Sequence, residues 1–236
     1  MLHFLITAGP TIEDIDPVRF ISNRASGKLG FAIARAAAKA GHSVTLFHGP
    51  VASDVLRTAP QKATCVAVRS AADMLAAVFA HVKNADVVIM NAAVADFTIA
   101  KMSSTKLKKS AASLKFQFKH TVDILKKLGQ HKKRHPDLML IGFALETGSG
   151  RTPKARAQSA LNSAMSKLES KNLDAIVLNS PRTIGAPDGD FVLFERGGMK
   201  PLPLFGSKEM LAKKLIQFAT NARRERLNSR GRDLRK

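Results

Sequence analysis

Asp16-Pro17-Val18-Arg19-Phe20-Ile21-Ser22-Asn23-Arg24-Ala25-Ser26-Gly27-Lys28-Leu29-Gly30 is the stretch from which the fold can be read. Before it come a short apolar run, residues 2–8, and the turn Gly9-Pro10-Thr11. After it, Phe31, Ile33, Ala34, Ala37 and Ala38 give a small-residue helical face that stops at Gly41. The order is strand, long loop, helix. Strand-to-helix loops usually run about 2–6 residues, so the surplus residues predict a contact. A helix start gathers backbone N–H groups and positive dipole charge, which is a geometry that holds phosphate. Gly27 and Gly30 each cost about 0.5–1 kcal/mol relative to Ala on a helix. We assign Gly30 to close packing on the strand and Gly27 to a ligand.

Outward from this stretch, short apolar runs alternate with helical patterns. Residues 42–48, 63–68, 85–90, 138–143 and 175–178 read as strands. Helices are predicted over 26–40, from a Ser70 cap completed by Asp73 to about residue 83, over 121–130 and 154–171, and from Ser207 onward. Residues 190–196 and 199–204, joined through Gly197-Gly198, predict a hairpin. The alternation predicts an α/β fold: a Rossmann-like three-layer αβα arrangement with a mostly parallel sheet. Ligands on such sheets bind at the carboxyl ends of the strands. Residues 97–120 break the pattern and predict a β-ribbon or flap, with Leu114, Phe116 and Phe118 alternating with Lys115, Gln117 and Lys119. One domain over 1–222 and a basic, disordered tail over 223–236 are expected.

The chain has 236 residues, 45% of them hydrophobic, enough for one sizeable core. Its formal charge of +20 points to an anionic partner: nucleic acid, membrane or phosphorylated small molecules. Nucleic acid is disfavoured, because no Trp or Tyr is present to stack bases. No run approaches the ~20 apolar residues of a membrane helix, and a cytoplasmic protein is expected. Cys65 is the only cysteine and, lying in an apolar run, is expected to be buried.

Gly9, Gly27 and Gly30 are spaced too widely for a compact dinucleotide fingerprint, and no acidic residue ends the second strand. Without any Tyr, an NAD(P)-dependent oxidoreductase of the short-chain type is also disfavoured. No Ser/His/Asp signature or Walker loop occurs, and no histidine pair is read as metal-binding. Asn23 is either a turn residue or an amide for an oxyanion. Asp96 is either a cap or a carboxylate for a phosphate-bound cation. Lys106 is either solvated or set to neutralise a leaving pyrophosphate.

Together the segments are more specific. Residues 7–11, 16–23, 26–30, 92–97, 106–109, 142–147 and 171–174, in this order, resemble the phosphopantothenate–cysteine ligases of coenzyme A biosynthesis, in the bacterial form. The resemblance spans residues 2–215 and lacks the decarboxylase often fused ahead. It implies a homodimer that uses CTP and Mg²⁺ to convert 4′-phosphopantothenate to an acyl-cytidylate, which cysteine then attacks. Eukaryotic relatives use ATP instead. By the same resemblance Asn23 and Lys106 are catalytic. The nucleotide falls to Gly9, Ser26, Gly27, Ala95, Asp96, Phe97, Lys106, Lys109 and Phe143, and the metal to Asp96. Ala25, Thr121-Val122 and Leu145 depart from the family pattern.

Overall fold

The structure is a computed structural model that describes residues 1–108, 116–198 and 201–233, without the side chains of 227–233. The predicted sheet is present. β1 (His3–Ala8) pairs in parallel with β4 (Ser43–His48) on one side and β6 (Val87–Met90) on the other. β5 (Thr64–Ala67) lies beyond β4, and β9 (Met139–Leu145) and β10 (Ala175–Asn179) lie beyond β6, all parallel. The antiparallel hairpin of β11 (Asp188–Glu195) and β12 (Leu202–Ser207) closes the far edge. The order is β12-β11-β10-β9-β6-β1-β4-β5.

β1 explains the three layers. Phe4, Ile6 and Ala8 point to one face, where α1 (Lys28–Lys39) and α6 (Lys208–Asp233) pack, with α2 (Ser53–Leu56) at its margin. Leu5 points to the other, against α3 (Ala71–His81), α4 (Ile124–Lys132) and α5 (Pro153–Ser170). A strand covered on both faces reads as a near-continuous apolar run. The local signals act as expected: Ser70 and Asp73 form a reciprocal capping box, and Gly41 takes φ 81° just past α1. Gly30 sits so close to β1 that a Cβ would stand 2.4 Å from that of Ala8.

Four expectations need correction. The long loop after β1 contains a small ribbon, β2 (Ile12–Asp14) with β3 (Phe20–Ser22). Its turn is locked by Asp16, which accepts from the N–H groups of Val18 and Arg19 and from the Arg19 guanidinium. Cys65 is exposed rather than buried, because β5 is an edge strand. The predicted flap does pair, as β7 (Phe97–Ile99) with β8 (Phe118–His120). However, Phe118 and Lys119 are both exposed, so the expected half-exposed alternation is absent from β8, and the buried residue of the ribbon is Ile99 on β7. Leu114 lies outside the described residues.

The expected disordered tail does not begin at Arg223, because α6 runs on to Asp233. Arg223 is buried and ion-paired with Asp86 at 3.5 Å and Asp137 at 3.8 Å. Arg226 meets Asp174 at 2.5 Å. Asp86, Asp137 and Asp174 precede β6, β9 and β10, so the basic helix straps the amino ends of three strands. These partners are far apart in sequence, which hid the pairing from a local reading.

Candidate active site

The strand order reverses between β1 and β6, the point where open α/β sheets bind ligands. A cleft of about 900 Å³ opens at their carboxyl ends. Across it the loops are stitched together: Thr11 N–H donates to the Ala93 carbonyl at 3.1 Å, and Ala93 N–H to that of Gly9 at 2.9 Å. The Asn23 amide also donates to the Ala93 carbonyl, at 2.9 Å. The long loop is thereby held over the switch point, and the amide oxygen of Asn23 has no partner among the described residues.

Gly9, Asn23, Ser26, Gly27, Asp96, Phe97 and Phe143 all line the cleft. Gly27 is the N-cap of α1, with φ 78°, and no side chain caps the helix. The plain capping role for Ser26 is therefore not realised, and the first N–H groups of α1 face the cleft without a side-chain acceptor. A Cβ on Gly27 would lie 2.7 Å from Val51 and 3.3 Å from the Cα of Gly9. Ala95 is buried behind the wall. Its N–H goes to Thr11 Oγ1 at 2.9 Å, and its carbonyl accepts from Thr121 Oγ1 at 2.5 Å. It therefore sets the position of Asp96 and Phe97 rather than facing the cavity. Thr121, one of the departures, also donates its N–H to the Asp96 carbonyl at 3.0 Å and so fixes both ends of the flap.

Lys106 is exposed and is not part of the cleft wall. Its neighbour Leu107 is docked on the first loop, donating to Asp16 at 3.2 Å and accepting from Arg19 at 3.0 Å. Lys109 lies outside the described residues. Asp96 is an exposed carboxylate at the wall. His131 and His135 stack at 4.1 Å, a pairing the sequence reading overlooked. Even so, among the described residues no group of three His, Cys, Asp or Glu side chains could hold a metal.

Sequence reasoning missed three cleft lysines. On the α4/α5 side, Lys167 pairs with Glu146 at 2.6 Å and Lys171 with Asp123 at 2.8 Å. Asp123 also caps α4 by accepting from Lys126 N–H at 2.9 Å. On the α1/α6 side, Lys208 is buried. Lysines at helical spacing read as solvated faces, and only the fold turns these inward.

The DNA/pantothenate metabolism flavoprotein C-terminal domain matches residues 1–222. The coenzyme A biosynthesis bifunctional protein CoaBC of Bacillus subtilis strain 168 is 40% identical over 222 residues, 92% of this chain and 51% of that protein. A cysteine/cysteine sulfinic acid decarboxylase of unknown prokaryotic origin is 45% identical over 184 residues, 78% of this chain and 47% of that protein. The chain thus spans about half the length of the curated relatives it matches. Among solved structures, the crystal structure of the C-terminal domain of CoaBC has a TM-score of 0.74 at 36% identity, covering 94% of this chain and 95% of that one. A Cab2 mutant in complex with phosphopantothenate-cysteine shares the fold, with a TM-score of 0.73 at 15% identity over 93% of this chain and 87% of that one. By sequence and by fold, the chain belongs to the family of the DNA/pantothenate metabolism flavoprotein C-terminal domain.

Proposed function

We propose that the protein is a ligase of coenzyme A biosynthesis that joins 4′-phosphopantothenate to cysteine at the expense of CTP. The observation that carries this reading is the single cleft that gathers Asn23, the uncapped start of α1, Asp96, Phe97 and Phe143 at the switch point. The names of the CoaBC relatives and the ligand of the Cab2 complex support the substrates.

A carboxylate is a poor electrophile. Its oxygen attacks the α-phosphorus of CTP, pyrophosphate leaves, and the mixed anhydride that forms has CMP as a good leaving group. The cysteine amine then attacks the acyl carbon, CMP departs, and the amine loses a proton. No protein nucleophile is needed. The burden is to hold several anions together, which preorganised positive charge does best. The α1 N-terminus and the cleft lysines supply that charge. Asn23, clamped to the Ala93 carbonyl through one amide N–H, has its second N–H to donate to the acyl oxygen and its amide oxygen to accept from the incoming amine.

A lone carboxylate fits Mg²⁺ better than it fits a metal caged by protein. Mg²⁺ is usually bound through one or two carboxylates plus substrate phosphates, and Asp96 supplies one. When bound, the ion neutralises the triphosphate. Lys106 lies off the wall of its own cleft, so we assign it to a two-fold partner in a homodimer. Exposed Phe97, Phe116 and Phe118 on the flap, with Val18 and Phe20 on the first ribbon, offer the apolar surface such a partner would cover.

The test incubates the protein with 4′-phosphopantothenate, cysteine, Mg²⁺ and either CTP or ATP, following pyrophosphate and the ligated product. CTP-dependent formation of 4′-phospho-N-pantothenoylcysteine is expected. ATP acting equally well would overturn the base assignment, and no product with either nucleotide would overturn the ligase reading.

A further inference from the structure

Three cations of the described chain are buried: Lys132, Arg223 and Lys208. Lys132 has Asp174 at 2.6 Å, and Arg223 has Asp86 and Asp137. Lys208 has no ion pair among the described residues, although it is only 7% exposed. Its ammonium meets one acceptor, the Ala186 carbonyl, and a lysine carries three donors. Glu209 and Asp188 act on it only from beyond ion-pair distance, and a buried charge with no carboxylate in contact is costly, so its retention beside a cleft favours an anion there. Burial and nearby Lys28 push its pKa down, and Glu209 and Asp188 offset this only in part.

The four lysines of the cleft divide in two. Lys167 and Lys171 on the α4/α5 side are already neutralised by Glu146 and Asp123. Lys28 and Lys208 on the α1/α6 side are in no ion pair among the described residues. Lys28 is the first residue of α1, whose N-terminus no side chain caps. The cleft lysines with no carboxylate in contact are therefore gathered on one flank.

We propose that Lys208, with Lys28, binds the β- and γ-phosphates of the nucleoside triphosphate and retains the pyrophosphate formed when the acid is activated. The assignment rests on the ligase reading above and adds a residue and a flank to it. The most highly charged ligand goes to the flank with the most unpaired charge. The single phosphate of 4′-phosphopantothenate has less need of it.

The experiment compares wild type with Lys208→Met, which keeps the aliphatic packing, and Lys208→Arg, which keeps the charge. Thermal melting first establishes that each is folded. Inorganic pyrophosphate is then titrated with Mg²⁺ in a thermal-shift assay, and KM is measured separately for CTP and for 4′-phosphopantothenate. Loss of one charge-assisted contact corresponds to about tenfold or more. We expect Lys208→Met to raise KM for CTP about tenfold or more and to lose the pyrophosphate shift. KM for the acid should stay unchanged, and Lys208→Arg should restore most of the effect. A rise confined to the acid's KM, or a lowered melting point with both KM values unchanged, overturns the proposal. Wild type that responds to neither pyrophosphate nor any triphosphate sinks the ligase reading itself, and that failure appears before any variant is made.

Discussion

Single atoms decide how the switch point is built. Gly30 has no room for a methyl group: besides the Cβ of Ala8 at 2.4 Å, the Cα of Ala8 would be 3.0 Å away. Neither is the tip of a flexible side chain. Gly30→Ala is therefore expected to cost about 1–3 kcal/mol, read as a lower denaturant midpoint with the slope unchanged. Asn23→Asp exchanges a donor for a carboxylate facing the Ala93 carbonyl. It should leave the melting point within a few degrees while acyl-cytidylate accumulates in mass spectra of the quenched reaction. Normal turnover of cysteine by that variant would remove Asn23 from the chemistry. Both residues were legible in the sequence, because a glycine on a helix and a long loop are local anomalies. Lys208 was not. Its distinction lies in a missing partner, and partners are a property of the fold.

At the scale of elements, strands and helices announced themselves wherever burial on two faces forced continuous apolar runs, as in β1, β6, β9 and β10. The ribbon of β2 and β3 escaped notice because three-residue strands show too little alternation to be seen. The exposure of Cys65 escaped for another reason. Strand order is set by crossovers, and nothing local says that β5 is last. The strap of α6 is the most testable element. Asp174 is 3% exposed and accepts from Lys132, from Arg226 and from Leu140 N–H. Asp174→Ala removes the counter-charge of the buried Lys132 and one partner of Arg226, so a loss of about 3–5 kcal/mol is expected in equilibrium unfolding. If the strap were ornamental, the variant would unfold within about 0.5 kcal/mol of wild type.

For the whole molecule, acid is the informative stress. The guanidinium of Arg19 holds the Asp16 carboxyl well below the usual carboxylate range. Arg69 lowers Asp14, and hydrogen bonds from Ser70 lower Asp73. Each of these groups has a folded pKa below its unfolded value of about 3.9. The stability they contribute is therefore complete above about pH 4 and is lost as pH falls through the lowered values. Denaturant midpoints should be level from pH 5 to 7 in respect of these groups and drop steeply below about 4, with Asp16→Asn showing a shallower drop. A midpoint that climbed on acidification would contradict the sign.

Asp86 touches both ends of the chain. It accepts from the His3 N–H at 2.8 Å as β1 begins, and it pairs with Arg223 of α6. That corner lies at the amino ends of the strands, one sheet-length away from where substrates would enter. Fastening both chain ends at the floor of the sheet leaves the loops at the opposite rim free of that duty.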